Sequence, residues 1–287
     1  MPSLREVRRR IRSTQSTQKI TKAMQVVSAT KLRGAQNAVR RARPYADKID
    51  EVLSTTAERA TNFKHPYLIR REGDRALVIV ITADQGLAGA VNSNTLRAVT
   101  RYVNQNHRGQ AQYVAIGRKA ESYLARFRRN VVASVTGIAD HSGIAPILPA
   151  VRAALSAYDR DEVDTVLLAY AKYVSALRQD PTVRTLLPIQ IPEPDPAQGL
   201  LADYDYEPDP AHVLDALLPR WLEAEVYEAL LENQASFHSA RMIAMQNATK
   251  AADDMITSLT LTANKVRQAS ITTELMEIVG GAEAQRQ

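Results

Sequence analysis

"LENQASFHSARMIAMQNATKAADDMITSLTLTANKVRQAS" (Leu231 to Ser270) is the stretch on which the fold turns. One seam runs through it: Leu231, Ala235, His238, Met242, Met245, Thr249, Ala252, Ile256, Leu259, Ala263, Val266, Ser270. The steps alternate between four and three, the spacing of a helix whose apolar stripe faces another helix. No Pro or Gly interrupts it between Arg220 and Val279. Asp209-Pro210 reads as N-cap and first helical residue. Gly280-Gly281 reads as a C-terminal stop. The spacing predicts one helix, roughly 100 Å long at 1.5 Å per residue.

The other end of the chain answers it. Ser3 followed by Glu6 is a capping box, and Leu4, Val7 and Ile11 begin a heptad row. Thr14 and Gln18 weaken that row. It is expected to resume with a shifted phase at Ile20, Met24 and Val27, then to run through Ala35, Ala38, Ala42, Tyr45, Ile49 and Val52. Pro44 is expected to bend this helix, which would be roughly 80 Å long. Two such helices at opposite ends of one chain most simply pair with each other, antiparallel. The C-terminal one should overhang by about 20 residues, or roughly 30 Å.

Between them the pattern changes. "RALVIVITAD" (75–84) is a continuous apolar run, as in a strand buried on both faces. "QYVAIG" (112–117), "NVVASV" (130–135) and "DTVLLAYAKYV" (164–174) follow as strands, with helical stretches near 94–106, 119–126 and 144–158. "TVRTLLPIQ" (182–190) pairs with the preceding strand as a hairpin. Strands alternating with helices predict an inserted, Rossmann-like α/β domain of mostly parallel strands. The expected divisions are an N-terminal coiled-coil helix over 1–60, the α/β domain over 74–192, a Pro-rich linker over 193–210 and a C-terminal coiled-coil helix over 211–287.

Composition narrows the chemistry. The chain has no Cys, so thiolate metal sites and disulfides are excluded. Its five His are scattered without HxH or HxxxH spacing, so no metal site is expected. No apolar run reaches the length of a membrane span, and the N-terminus lacks the apolar core of a secretory signal. The charge is uneven: between Arg5 and Arg43 stand about twelve Lys and Arg against the single acid Glu6. Such a block suits an acidic protein surface, nucleic acid or anionic lipid.

"ADQGLAGAVN" (83–92) sits where α/β folds bind phosphates. Gly86 and Gly89 do not fit GxGxxG, and no GK[ST] follows, so a structural turn is the plainer reading. Glu232 and His238 make a conceivable catalytic pair, but His238 falls on the seam, where a core histidine is expected. No catalytic residues and no cofactor are therefore assigned. Two rivals remain at this point. A nucleic-acid-binding coiled coil would bind DNA tightly with steep salt dependence. A nucleotide-dependent enzyme built on the Gly86–Gly89 turn would bind nucleotide as an isolated chain.

Several stretches together resemble the γ subunit of F-type ATP synthases: "STQKITKAMQVVSATKLRGAQ" (16–36), "RARPYADKI" (41–49), "ADQGLAGAVN", the stretch 206–249 beginning "YEPDPAHVLDALLPRW", and "VRQASITTELMEIVGGAEA" (266–284). The resemblance covers essentially the whole chain. It implies a non-catalytic central rotor shaft. The paired helices would enter a hexamer of α and β subunits, with the α/β head beside the ε subunit and the c-ring. Proton or sodium flow through the ring would then be coupled to ATP synthesis or hydrolysis on β. It implies β-subunit contacts for Arg267, Gln268 and Thr272 near the C-terminus and for Lys19, Lys22 and Met24 near the N-terminus. It also implies c-ring contacts at the foot for Tyr204, Tyr206 and Glu207. The basic block then has carboxylates of β as its partner rather than nucleic acid. Ala88 stands where many relatives have Cys, Phe237 where an acid is common, and Thr273 and Met276 where Gln and Thr are common. The start "MPSLREVRRRIR", without a presequence, points to a bacterial chain held at the cytoplasmic side of the plasma membrane by its complex.

Overall fold

The computed structural model describes residues 3–59, 64–107, 111–140, 142–191 and 204–284. The chain runs α1 (Leu4–Arg59), β1 (Ala76–Ile81), α2 (Val91–Asn106), β2 (Ala111–Ile116), α3 (Arg118–Arg126), β3 (Asn130–Val135), a 3-10 turn (Ala145–Ile147), α4 (Leu148–Asp159), β4 (Thr165–Tyr173), β5 (Gln179–Leu187) and α5 (Pro210–Ala284). Most of the expected linker, residues 193–203, lies outside the described residues. Two compact units result: Met1–Ser28 with Met242–Gln287, and Ala29–Arg241. Both long helices contribute to each.

In the larger unit the sheet order is β3-β2-β1-β4-β5, parallel except for the antiparallel edge strand β5. β1 shows why an unbroken apolar run is needed. Leu77, Ile79 and Ile81 enter one core with residues of α4, α5 and α1, while Ala76, Val78 and Val80 enter a second core with α2 and α3. All six β1 residues are buried, because side chains alternate faces and helices cover both. Leu53 of α1 and Leu214, Leu218 and Leu222 of α5 are fully buried in the first core. Parts of the two long helices are thus core elements of the α/β unit.

In the smaller unit α1 and α5 pair antiparallel. Thr14 Oγ1 lies 3.8 Å from Met255 Sδ, Gln18 Nε2 donates to Asp253 Oδ1 at 2.5 Å, and the Thr21 and Thr249 hydroxyls meet at 2.8 Å. The seam on α5 follows the expected phase, with Met245 and Ala252 buried and Ile256, Leu259 and Val266 half-buried.

On α1 the expected phase shift does not occur. The heptad row continues in register through Thr14, Gln18, Thr21, Gln25 and Ser28 to Leu32 and Ala35, with Thr21 and Ser28 buried. Ile20 and Val27, expected on the seam, are 60% and 54% exposed. A seam between two helices only one side chain deep tolerates hydroxyls and amides that pair across it, so apolar residues were not required there. Met24 is half-buried beside this row.

The helix ends follow their caps. Asp209 Oδ1 accepts from the His212 amide at 2.9 Å, and Ser3 Oγ accepts from the Glu6 amide at 3.3 Å. α1 is continuous through Pro44. The expected stop at Gly280-Gly281 does not hold, since α5 runs on to Ala284. Glycine permits a left-handed cap without compelling one, and its cost inside a helix is only about 1 kcal/mol.

Candidate functional site

The first site to test is the crevice at the carboxyl ends of β1 and β4, where the strand order reverses and doubly wound folds take their ligands. Here the chain fills it. The Asp84 carboxylate, just past β1, accepts from the Arg118 amide at the start of α3 and from the Gly137 amide, each at 2.8 Å. The N-terminus of α3, beside this turn, is therefore already capped by a carboxylate. Thr82 Oγ1 accepts from the Ala120 amide at 2.8 Å, and Asn92 Oδ1 accepts from the Ala83 amide at 3.1 Å. Gly117, at φ 97°, lets this turn press on the Thr82 carbonyl, where a Cβ would collide.

From the other side α5 closes the crevice. Asn233 Oδ1 accepts from the Ala171 amide at 3.3 Å, and Arg241 reaches Gln85 at 2.6 Å. His238 Nε2 lies 3.1 Å from Asp140 Oδ1, whose other oxygen takes Lys31 at 2.8 Å. Hydrogen bonding by His238, with Lys31 adding to it, holds the Asp140 carboxyl well below the usual range against the opposing effect of burial. His238 is a core residue, as its seam position implied. What remains is a cavity of ≈ 90 Å³ among Asp84, Gln85, Asn233, Gln234, Phe237 and His238. That volume suits a few waters and falls short of the several hundred Å³ of an ordinary ligand pocket. The glycine pattern marked the place, but Asp84, which settles its chemistry, carried no signal in sequence apart from its position after a strand.

The second site is the paired-helix unit. The three cross-pairs place Leu4 opposite about residue 266, so from about Arg267 onward α5 has no helix partner among the described residues. Arg267, Gln268 and Thr272 all lie on this overhang and are exposed. Thr272 and Thr273 turn their hydroxyls back to the carbonyls of Gln268 and Ala269, each at 3.0 Å. The Arg267 and Gln268 side chains make no hydrogen bond or ion pair among the described residues. Lys19 and Lys22 are likewise exposed on α1. They stand level with α5 residues about 16 to 19 positions before Arg267, so the two groups are about 24–29 Å apart along the axis. One unit carries both, at different heights.

The same overhang exposes large apolar side chains that sequence reasoning missed: Leu275, Met276, Ile278 and Val279 are each more than half exposed. Their signal was apolar residues persisting after the seam had ended. Such a band marks a surface that another protein covers.

The third group lies in the α/β unit. The Tyr204 hydroxyl donates to Glu51 at 2.9 Å, where Lys48 also binds at 2.6 Å. Tyr206 stacks edge-on against Tyr204, and Glu207 is exposed. Tyr204, Tyr206 and Glu207 thus sit together just before α5.

A family model described as ATP synthase matches residues 3–285. The ATP synthase gamma chain of Ralstonia nicotianae is 43% identical over 290 residues, spanning 99% of this chain and 100% of that one. The chain belongs to the ATP synthase γ-chain family. The gamma chain of Brevibacillus brevis is also 43% identical, over 98% of both chains. Among solved structures, a chain of the Tetrahymena thermophila mitochondrial ATP synthase central stalk and c-ring matches with TM-score 0.59 and 26% identity, over 80% of this chain and 99% of that one. A chain of the Euglena gracilis mitochondrial assembly of OSCP, F1 and c-ring has the same fold, with TM-score 0.69 at 19% identity over 98% of this chain and 94% of that one. As a γ-family chain this protein is a central-stalk subunit of an F-type ATP synthase. Among the described residues no helix is long and apolar enough to cross a membrane.

Proposed function

We propose that this chain is the rotating shaft of its synthase and has no active site of its own. Its paired helices would turn inside a hexamer of α and β subunits, coupling ion flow through the c-ring to ATP synthesis or hydrolysis on β. The observation that carries this reading is the overhang of α5. A helix that outruns its partner keeps exposed polar groups at Arg267 and Gln268 and then an exposed apolar band. Such a surface suits a sleeve of other subunits.

Within this reading Arg267, Gln268 and Thr272 contact β at one height, and Lys19, Lys22 and Met24 contact acidic groups of β at another. Charge-assisted hydrogen bonds of about 1.5–3 kcal/mol would grip yet release at each step. Tyr204, Tyr206 and Glu207 serve as the foot toward the c-ring, with the ε subunit beside the α/β unit. The expected domain ranges divide the labour accordingly: helices 1–60 and 211–287 as shaft, 74–192 as head, 193–210 as link. The protein would reside at the cytoplasmic face of a bacterial plasma membrane, held there by its complex. The capped and filled crevice at Asp84 supports a head that binds no nucleotide.

Co-expression with the α and β subunits of the same organism tests the reading. A co-purifying ATPase containing this chain is expected. Assembly of active α/β enzyme that never retains this chain would overturn it.

A further inference from the structure

Glu225, Glu228 and Glu232 recur on α5 at spacings of three and four, so they share one face of the helix. That face meets β4 and the edge strand β5. Arg184 of β5 pairs with Glu225 at 2.5 Å, and Lys172 and Tyr170 of β4 face Glu232. Asp50 of α1 faces Glu225 and accepts the Trp221 indole N–H at 2.6 Å. Among the described residues Arg184 and Lys172 are the cations that face Glu225 and Glu232. Glu225 has the arginine. Glu232 has no ion pair among the described residues; Tyr170 hydrogen-bonds its side chain, but its Oε2 is buried there without a hydrogen-bond partner.

A carboxylate held this way is costly in its charged form and comfortable as the acid, because the neutral group needs no cation. We propose that Glu232 is a proton-operated latch, whose uptake of a proton fastens α5 to the β4–β5 edge. Burial, then Glu228, raises its carboxyl above the usual range, with Lys172, Tyr170 and Arg184 opposing. Burial also raises Glu225, against Arg184 and with Glu228 and Asp50 adding to it. The sign follows from linkage. A carboxyl raised in the folded state stabilises fully below its unfolded value, and that contribution is lost as pH rises through the folded value. The grip of the head on its longest helix then depends on the local proton concentration. This inference needs only the chain itself and stands apart from its assembly.

The test is a titration of glutamate side-chain carboxyl carbons by NMR on the full chain, with thermal melts at pH 5 and pH 7.5. The Glu232 midpoint is expected above the ordinary glutamate value, and Glu228→Gln should move it down. Glu232→Gln, which mimics the protonated acid, should raise Tm by about 2 °C at pH 7.5 and by less at pH 5. A midpoint at or below the ordinary value, one indifferent to Glu228→Gln, or a Tm lowered equally at both pH values would overturn the latch.

Discussion

Asp84 and Arg118 meet through a carboxylate oxygen and a backbone amide 2.8 Å apart, at the N-terminus of α3. The bond caps that helix from within the chain. Asp84→Ala frees two amides, those of Arg118 and Gly137. A loss of about 1–2 kcal/mol is expected by urea denaturation. Nucleotide binding by the variant, measured calorimetrically, should remain absent. Micromolar binding by the parent chain would show that the crevice is still in use.

The polar layers of the helix pair give a second expectation. Thr21→Val alone leaves the Thr249 hydroxyl only the Met245 carbonyl at 2.8 Å and should cost up to about 1 kcal/mol, whereas Thr21→Val with Thr249→Val should recover that loss or exceed the parent. A double-mutant cycle on thermal melts reads the coupling. Additive losses would mean that the two hydroxyls do not interact.

Arg267→Ala with Gln268→Ala should leave the stability of the isolated chain within about 0.5 kcal/mol, because both side chains are exposed. In the assembled enzyme the same pair should lower coupled ATPase turnover. Unchanged turnover would remove both residues from the β contact.

Acid should loosen the contacts of Asp140 with His238 and Lys31. Its carboxyl is depressed by His238 and then Lys31, so its contribution is fully present above the ordinary aspartate value and is lost as pH falls through the lower folded value. Asp140→Asn should therefore be less stable than the parent at pH 7. The gap should close in urea melts taken stepwise below about pH 4. A gap that stays constant to pH 2 would contradict the assignment.

Leu53 places α1 in the main core at 0% exposure, so Leu53→Ala should cost about 2–5 kcal/mol and lower the melting temperature of the α/β unit. A loss below 1 kcal/mol would mean that α1 merely lies on that unit.

Much of this was legible because periodicity is a direct record of packing. The α5 seam from Met242 to Val266 and the two-faced burial of β1 follow from spacing alone. The α1 row misled because Thr14, Gln18 and Thr21 pair with each other's opposites rather than with apolar mates, and a reading that seeks only apolar residues slides to Ile20 and Val27. Asp84 and Asp140 were invisible for a different reason. Each acts on groups tens of residues away, and spacing carries nothing about partners that only the fold brings near.

The hydroxyl and amide layers from Thr14 to Ser28 have a thermal consequence. Apolar seams lose strength on cooling, because the free energy of burying hydrocarbon fades toward low temperature. A seam section closed by Thr21 on Thr249 and Gln18 on Asp253 draws little on that term. This part of the helix pair should keep nearly the same hold in cold water as in warm, while the Leu- and Met-lined parts of the molecule slacken.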